Sequence, residues 1–270
     1  MTIEDRDFER LKKYMRDNFG INLEKKRMLI EGRLSVMIQQ QGFNNFHDYI
    51  ESVLGDRTGA KVDELITKLT TNYTYFMREE AHYNFMTSVA LPKWTSPSIK
   101  DKVLRTWSAG CSSGEEAYTA AMVINEYFGI SKNGWDTTIL ATDISPRVLT
   151  AAKNGVYPEG HLERLPERWQ KKYFSDAGNR ERRIAESLKK EVVFGQSNLM
   201  SSFSQFRRKF HIIFCRNVMI YFDNPTKAAL TKKFYDVLEP GGYFFIGLSE
   251  TLTGIYDGFT QISPAIYRKG

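Results

Sequence analysis

The sequence predicts an α/β protein: a doubly wound, mostly parallel sheet, preceded by an all-helical domain and interrupted by a small polar insertion. Three observations predict it. Up to about Thr70 the apolar residues recur at helical spacing. From about residue 100 onward, short apolar strand-like runs alternate with helical ones, the pattern of βαβ units. Between residues 155 and 191 a polar, basic stretch breaks that alternation.

The helical part falls into four stripes. Phe8, Leu11, Tyr14 and Met15 form the first, broken at Asn18-Phe19-Gly20. Leu29, Leu34, Met37 and Ile38 form the second, which Gly42 stops. Phe46, Tyr49, Ile50, Val53 and Leu54 form the third, and Leu65, Ile66 and Leu69 the fourth. Leu91-Pro92 and Ser96-Pro97-Ser98 then read as a linker or turn. Beyond it the pattern predicts strands over 103–108, 137–142, 192–194, 210–215, 243–248 and 265–268. Helices are predicted over 114–128, 146–153 and 225–238.

Composition narrows the function classes. With 41% apolar and 13% aromatic residues the chain can build a substantial core. Cys111 and Cys215, its two cysteines, give neither a disulfide framework nor a C-x-x-C pair, which fits a reducing compartment. Residues 1–10 are charged from the fourth onward, unlike a signal peptide. No apolar run reaches the roughly 18–20 residues of a membrane span. A soluble cytoplasmic protein without membrane insertion is expected. His47, His82, His161 and His211 are scattered without metal-ligand spacing, so no metal is expected.

The net charge is +6. Residues 10–33 hold eight basic residues against three acidic ones, and residues 163–209 hold twelve against six. A solvated helix face and a surface for an acidic partner both account for such runs. No nucleic-acid motif accompanies them, and no nucleic-acid partner is expected.

On a doubly wound sheet, ligands gather at the carboxyl ends of the strands. The first strand runs into Ser108-Ala109-Gly110-Cys111-Ser112-Ser113-Gly114-Glu115-Glu116, where small residues let the backbone approach a nucleoside closely. The spacing is not G-x-G-x-x-G, which argues against a nicotinamide-dependent dehydrogenase. Acids at this helix start suit a cationic ligand better than a pyrophosphate, although helix dipoles favour them in any case. At the second strand end Asp143 is placed to accept from ribose hydroxyls, with Ser145 capping the next helix; Asp143 itself is the alternative cap. Together the two ends favour an adenosyl ligand.

Asn198 and Leu199 offer a polar contact and a packing surface for adenine. Arg216-Asn217 follows an apolar strand and is costly to bury unpartnered; it contacts ligand or fixes neighbouring loops. Cys111 and Cys215 read as core, with no histidine placed to activate them. In Asn72-Tyr73-Thr74-Tyr75-Phe76-Met77-Arg78-Glu79-Glu80, three strongly hydrogen-bonding types alternate with aromatics at a domain junction, a common place for a site.

These strings resemble the CheR-type chemotaxis receptor methyltransferases over almost the whole chain. Residues 72–79 are similar to that family's N-x-T-x-F-F-R-E linker motif, with Met77 for one Phe. Trp107-Ser108-Ala109 and Ser113-Gly114-Glu115-Glu116-Ala117-Tyr118 resemble its glycine-loop motif, with Ala117 where Pro is usual. Cys215-Arg216-Asn217-Val218-Met219-Ile220-Tyr221-Phe222 matches its most distinctive string. The resemblance implies a helical domain over 1–72, a linker over 73–90 and a Rossmann-like S-adenosylmethionine (SAM) methyltransferase sheet over 91–270, with 156–193 as a small β-subdomain. It implies a cytoplasmic monomer that moves the methyl group of SAM onto glutamate carboxylates of chemoreceptor cytoplasmic helices, leaving S-adenosylhomocysteine. The basic N-terminal domain would face the acidic methylation region.

Carried over by position, the cofactor contacts are Asn72, Thr74, Arg78, Glu116, Asp143, Asn198, Leu199, Arg216 and Asn217, with Glu115 as a substitute for Glu116. Arg78 and Tyr221 stand nearest the chemistry. In some members the β-subdomain tethers a receptor pentapeptide through a glycine-containing loop. Here 175–182 carries one glycine, Gly178, and is shorter, so no dependence on the pentapeptide is expected. A methyltransferase with another acceptor and a non-catalytic cofactor-binding regulator are the alternatives.

Overall fold

The structure, a computed structural model, describes residues 1–70, 73–97 and 99–270. It opens with α1 (Asp5–Phe19), α2 (Arg27–Gln40), α3 (Phe46–Leu54) and α4 (Ala60–Leu69). The four apolar stripes turn inward, burying Leu11, Met15, Leu34, Ile38, Tyr49 and Leu65 together. Leu29 departs from the expected stripe: it is 36% exposed, and Ile30 takes the buried place. α1 stops where Gly20 adopts φ 70° and returns its N–H to the Arg16 carbonyl. Asn45 caps α3 by accepting from Asp48 N–H.

Next come α5 (Ala81–Phe85), a π-helical turn (Met86–Ala90) and α6 (Leu91–Trp94), stacked end to end. Leu91-Pro92, read as a turn, lies inside this rod. Leu91 N–H reaches back five residues to Met86 O, and Pro92, with no N–H to place, follows directly. The rod lies on the sheet, with Phe85 edge-on to Tyr243 at 5.2 Å.

The sheet elements are β1 (Thr106–Ala109), α7 (Glu115–Phe128), β2 (Ile139–Asp143) and α8 (Pro146–Asn154). Then comes the insertion: β3 (Val156–Pro158), α9 (Glu167–Tyr173), β4 (Phe174–Gly178), β5 (Glu181–Ile184) and α10 (Glu186–Lys189). The main sheet resumes with β6 (Val192–Gln196), β7 (Phe210–Cys215), α11 (Asn224–Val237), β8 (Leu238–Ile246), β9 (Phe259–Ser263) and β10 (Ile266–Lys269). Its order is β6-β2-β1-β7-β8-β10-β9, parallel except for β10, which runs antiparallel to both of its neighbours. The chain winds outward from β1 through β2 and β6, then returns to β7 on the other side of β1. That reversal opens a crevice at the strand ends.

The insertion forms its own antiparallel sheet, β3-β5-β4, as expected of a β-subdomain. Asn179 and Arg180, at φ 51° and 57°, join β4 to β5 in a two-residue turn. Trp107 anchors the core beneath the site, fully buried against Phe203, Phe210 and Phe234. β9 escaped the sequence reading because only Phe259 of its five residues is buried, which leaves no alternation to detect.

Two buried histidines make stability pH-dependent. Burial, with Arg105 beside it, brings the pKa of His211 down to about 4. Burial, followed by the charge of Arg216, also lowers that of fully buried His82. Both folded values lie below the roughly 6.5 of an exposed imidazole. As pH falls from 6.5 toward 4, the unfolded chain therefore takes up protons that the native state refuses, and stability is lost across that window. His211 alone accounts for on the order of 3 kcal/mol. The melting temperature should fall steadily over this range, and His211→Phe should flatten the slope; a level profile in the wild type contradicts the assignment.

Candidate active site

The crevice is a cavity of about 1050 Å³, open mouth included, between the strand ends and the helical domain. Thr74, Arg78, Glu116, Asp143, Asn198, Leu199, Arg216, Asn217 and Tyr221 all line it. Asn72 lies outside the described residues. One wall was not foreseen: Phe19, Ile21, Ile66 and Thr70 come from the helical domain.

The backbone around the cavity is held in uncommon conformations. Met77, Glu79, Ser112 and Asn217 have φ of 59°, 57°, 49° and 59°, which costs non-glycine residues energy that the surroundings must recover. Gly110, at φ 87°, faces Val218 so closely that a Cβ would lie 2.5 Å from Val218 Cγ2. Only glycine fits there.

Arg216 organises the floor. Its side chain is 2% exposed. Nε and Nη2 donate to Glu79 Oε2 at 3.2 and 3.1 Å, and Nη1 donates to Glu116 Oε2 and Tyr83 Oη, both at 3.1 Å. Nη2 also donates to the Arg78 carbonyl. All five N–H groups are thereby engaged. Of the two roles open to it, the geometry favours fixing neighbouring loops. Its neighbour Asn217 is held by Glu250, whose carboxylate accepts from Asn217 N at 2.9 Å, Gly247 N at 2.6 Å and Ile220 N at 3.1 Å. Burial raises the Glu250 pKa even so.

Glu79 and Glu250 were missed as site residues. Glu79 stood inside the linker motif without a role, and Glu250 follows β8 closely enough for the strand-end rule to have found it.

Glu116 and Glu115 point to different sides. Glu116 faces the cavity, accepting from Ser108 Oγ at 2.7 Å as well as from Arg216, and burial raises its pKa. Glu115 is fully buried away from it, bonded to Ser113 Oγ at 2.7 Å and His161 Nδ1 at 2.9 Å. Glu115 is therefore no substitute for Glu116.

Asp143 accepts from Ser112 N at 2.9 Å and Ser145 N at 3.0 Å, one on each oxygen, and burial raises its pKa. The remaining lone pairs suit a vicinal diol. Ser145 occupies the N-cap position of α8 but makes no side-chain cap; its Oγ lies 3.3 Å from Thr67 Oγ1 of the helical domain. The Asn198 side chain is also committed across the junction, donating to Asn18 O at 2.7 Å and accepting from Met200 N at 2.9 Å. Arg78 donates to Tyr73 O at 2.7 Å and, among the described residues, forms no ion pair.

Tyr221 sits where the two domains meet. Its carbonyl accepts from Asn22 N at 2.8 Å, and Lys26 Nζ lies 5.2 Å from its ring centre. Nearby, Arg16 pairs with Asp223 at 2.7 Å. Within 10–33, Arg10, Lys12, Lys13, Arg16 and Arg27 all have carboxylate partners, so much of that basic run is a paired, solvated face. No helix among the described residues is long and apolar enough to cross a membrane. Cys111 and Cys215 are buried, and burial pushes both thiols up.

The donor set fits an adenosyl sulfonium ligand: in Arg78 a cation without an ion pair among the described residues for its amino-acid end, a diol acceptor in Asp143, and Leu199 and Ile144 as apolar surfaces for its base. The lining carboxylates Glu116 and Asp143, with Glu79 and Glu250 in the floor behind them, face the cations Arg78 and Arg216, a balance that accommodates a positive sulfur.

The chain is similar along its whole length to a known family. A family model described as "CheR methyltransferase, SAM binding domain" matches residues 72–267, and "CheR methyltransferase, all-alpha domain" matches 6–70. The "Chemotaxis protein methyltransferase" of Borreliella burgdorferi is 43% identical over 272 residues, covering 100% of this chain and 96% of that one. "Chemotaxis protein methyltransferase Cher2" of Pseudomonas putida is 32% identical, covering 98% of each. "Chemotaxis protein methyltransferase 1" of Pseudomonas aeruginosa is 33% identical, again covering 98% of each. With both family models matched in order and full-length relatives above 30% identity, this chain belongs to the CheR methyltransferase family.

Proposed function

We propose that this SAM-dependent methyltransferase esterifies glutamate side chains on chemoreceptor helices in chemotaxis, and that Thr74, Arg78, Glu116, Asp143, Leu199 and Asn217 form its cofactor site. One observation carries the choice of a carboxylate acceptor. Among the described lining residues there is no histidine or lysine, and the carboxylates Glu116 and Asp143 already accept from protein donors, Asp143 keeping its other lone pairs for the ribose, which leaves no ready general base. A glutamate, with a pKa near roughly 4.3, is already ionised at neutral pH and needs none. Amine and hydroxyl acceptors both have a proton to lose.

When bound, SAM supplies a strongly electrophilic sulfonium methyl. The chain's own contribution is positioning and desolvation. Arg216, Glu79 and Glu250 hold the floor rigid, so that Glu116 and Asn217 meet the ligand in fixed orientations. Arg78 orients a carboxylate, either the cofactor's or the acceptor's. Tyr221, at the domain junction, holds the acceptor through its hydroxyl and does not act as a base. Tyr221→Phe should therefore lower turnover about tenfold while leaving the pH–rate profile unchanged in shape. Unchanged turnover would refute this role.

Partner recognition by the helical domain is supported by the exposed Lys25 just before α2, by Met28 and Val36 exposed on α2, and by Lys26, which lies over the Tyr221 ring. The tight Asn179-Arg180 turn supports independence from a tethering pentapeptide. The test of the function mixes the protein with methyl-labelled SAM and a receptor cytoplasmic fragment, then treats the product with mild alkali. Alkali-labile label means glutamyl esters; stable label means another acceptor atom and overturns the reading.

A further inference from the structure

His161 belongs to the insertion, in a turn of 3-10 helix (Glu159–Leu162), and does not line the cavity. It nevertheless touches both segments that do. Its Nδ1 lies 2.9 Å from Glu115 Oε1; a carboxylate oxygen accepts, so Nδ1 carries the hydrogen. Glu115 is the first residue of α7, fully buried, and its other oxygen holds Ser113 Oγ at 2.7 Å. This pins the Ser112–Glu116 end of the glycine loop. The His161 carbonyl accepts from Phe76 N at 3.2 Å, in the middle of the strap that carries Thr74 and Arg78.

Two neighbours reinforce the same joint. Tyr157 Oη donates to Ser113 O at 2.7 Å, and Phe76 packs edge-on against Tyr157 and Phe174, at 4.9 and 5.2 Å. The strap also meets α7, the helix that the glycine loop leads into, where Met77 N donates to Thr119 Oγ1 at 3.2 Å. Both segments hold the positive-φ residues noted above, Met77, Glu79 and Ser112, conformations that need outside support. A buried carboxylate is an expensive way to fill space, and its partner comes from a different subdomain.

We propose that His161 is a positioning residue for the cofactor site: through Glu115 and Phe76 it clamps the glycine loop to the Arg78 strap, and the insertion thereby sets cofactor affinity. The inference rests on the cavity being the SAM site but not on which acceptor is methylated. An insertion joined in this way transmits any load placed on it to the cofactor loops.

The test measures S-adenosylhomocysteine affinity by titration calorimetry on the full chain, which needs no acceptor, alongside KM for SAM and kcat. His161→Phe keeps bulk and removes the donor; His161→Asn keeps a donor near the Nδ1 position. The expected result is about a tenfold loss of affinity and a matching rise in KM for His161→Phe, with kcat within twofold. His161→Asn should recover most of it. Unchanged affinity in His161→Phe overturns the proposal, and so does an equal loss in both variants, which would reduce His161 to packing. Failure of receptor methylation with this affinity pattern intact would count against the acceptor and leave the clamp standing.

Discussion

Replacing Arg216 with methionine is expected to lower the unfolding free energy by roughly 3–5 kcal/mol, the largest stability effect of any single polar side chain here. Methionine keeps most of the volume, so the loss is electrostatic. Glu79 and Glu116 now share one guanidinium, and Tyr83 Oη and the Arg78 carbonyl use its remaining donors. Without it two inward-facing carboxylates confront each other beside buried, neutral His82. The Glu116 pKa, already raised by burial, would rise further as that carboxylate takes up a proton. Arg216→Lys should recover only part of the loss, because a single ammonium cannot span both acids and the carbonyl. Urea denaturation reads the difference, and a change under 1 kcal/mol for the methionine variant would mean that the network is dispensable.

Arg78→Ala should behave in the opposite way, leaving stability nearly untouched and lowering kcat/KM about a hundredfold. Its side chain's one hydrogen bond among the described residues goes to the Tyr73 carbonyl. Arg78 lines the cavity, and charge-assisted bonds to a ligand carboxylate are worth roughly 2–3 kcal/mol. At about 1.4 kcal/mol per tenfold, that is on the order of a hundredfold in rate. Steady-state kinetics with each substrate varied in turn divides the effect. A loss carried by KM for SAM assigns Arg78 to the cofactor's carboxylate. A loss carried by kcat and the acceptor's KM assigns it to the incoming glutamate. Activity within threefold of wild type contradicts both.

The strand-end rule found most of this site from sequence because a parallel sheet forces its loops to one edge. Asp143, Asn198, Leu199 and Asn217 were legible for that reason, each following an apolar run by one to a few residues. The partners that make those residues work were not. Glu79 and Glu116 are 37 residues apart in number and meet only through Arg216. Sequence spacing carries no trace of such a contact. Glu116 was the expected contact with its helix neighbour Glu115 as a substitute, and a rotation of about 100° between them decides which one meets the cavity. Ser145 had the right residue type and backbone for a cap, yet its hydroxyl turned to Thr67, a partner from another domain. Leu91-Pro92 misled because proline usually ends a helix, and here the π turn before it lets the helix continue.

The helical domain supplies Phe19, Ile21, Ile66 and Thr70 to the cavity, and it is fastened over it by Asn22 to Tyr221, Asn18 to Asn198 and Arg16 to Asp223. Ligand retention and the docking of the two domains are therefore one equilibrium seen from two sides. Whatever loosens the fastening weakens the ligand's hold, and by thermodynamic reciprocity the ligand strengthens the fastening by the same free energy. Under the partner recognition proposed above, a receptor helix pulling on α1 or α2 would act on cofactor occupancy with no separate messenger, because the roof it gripped is already part of the vessel.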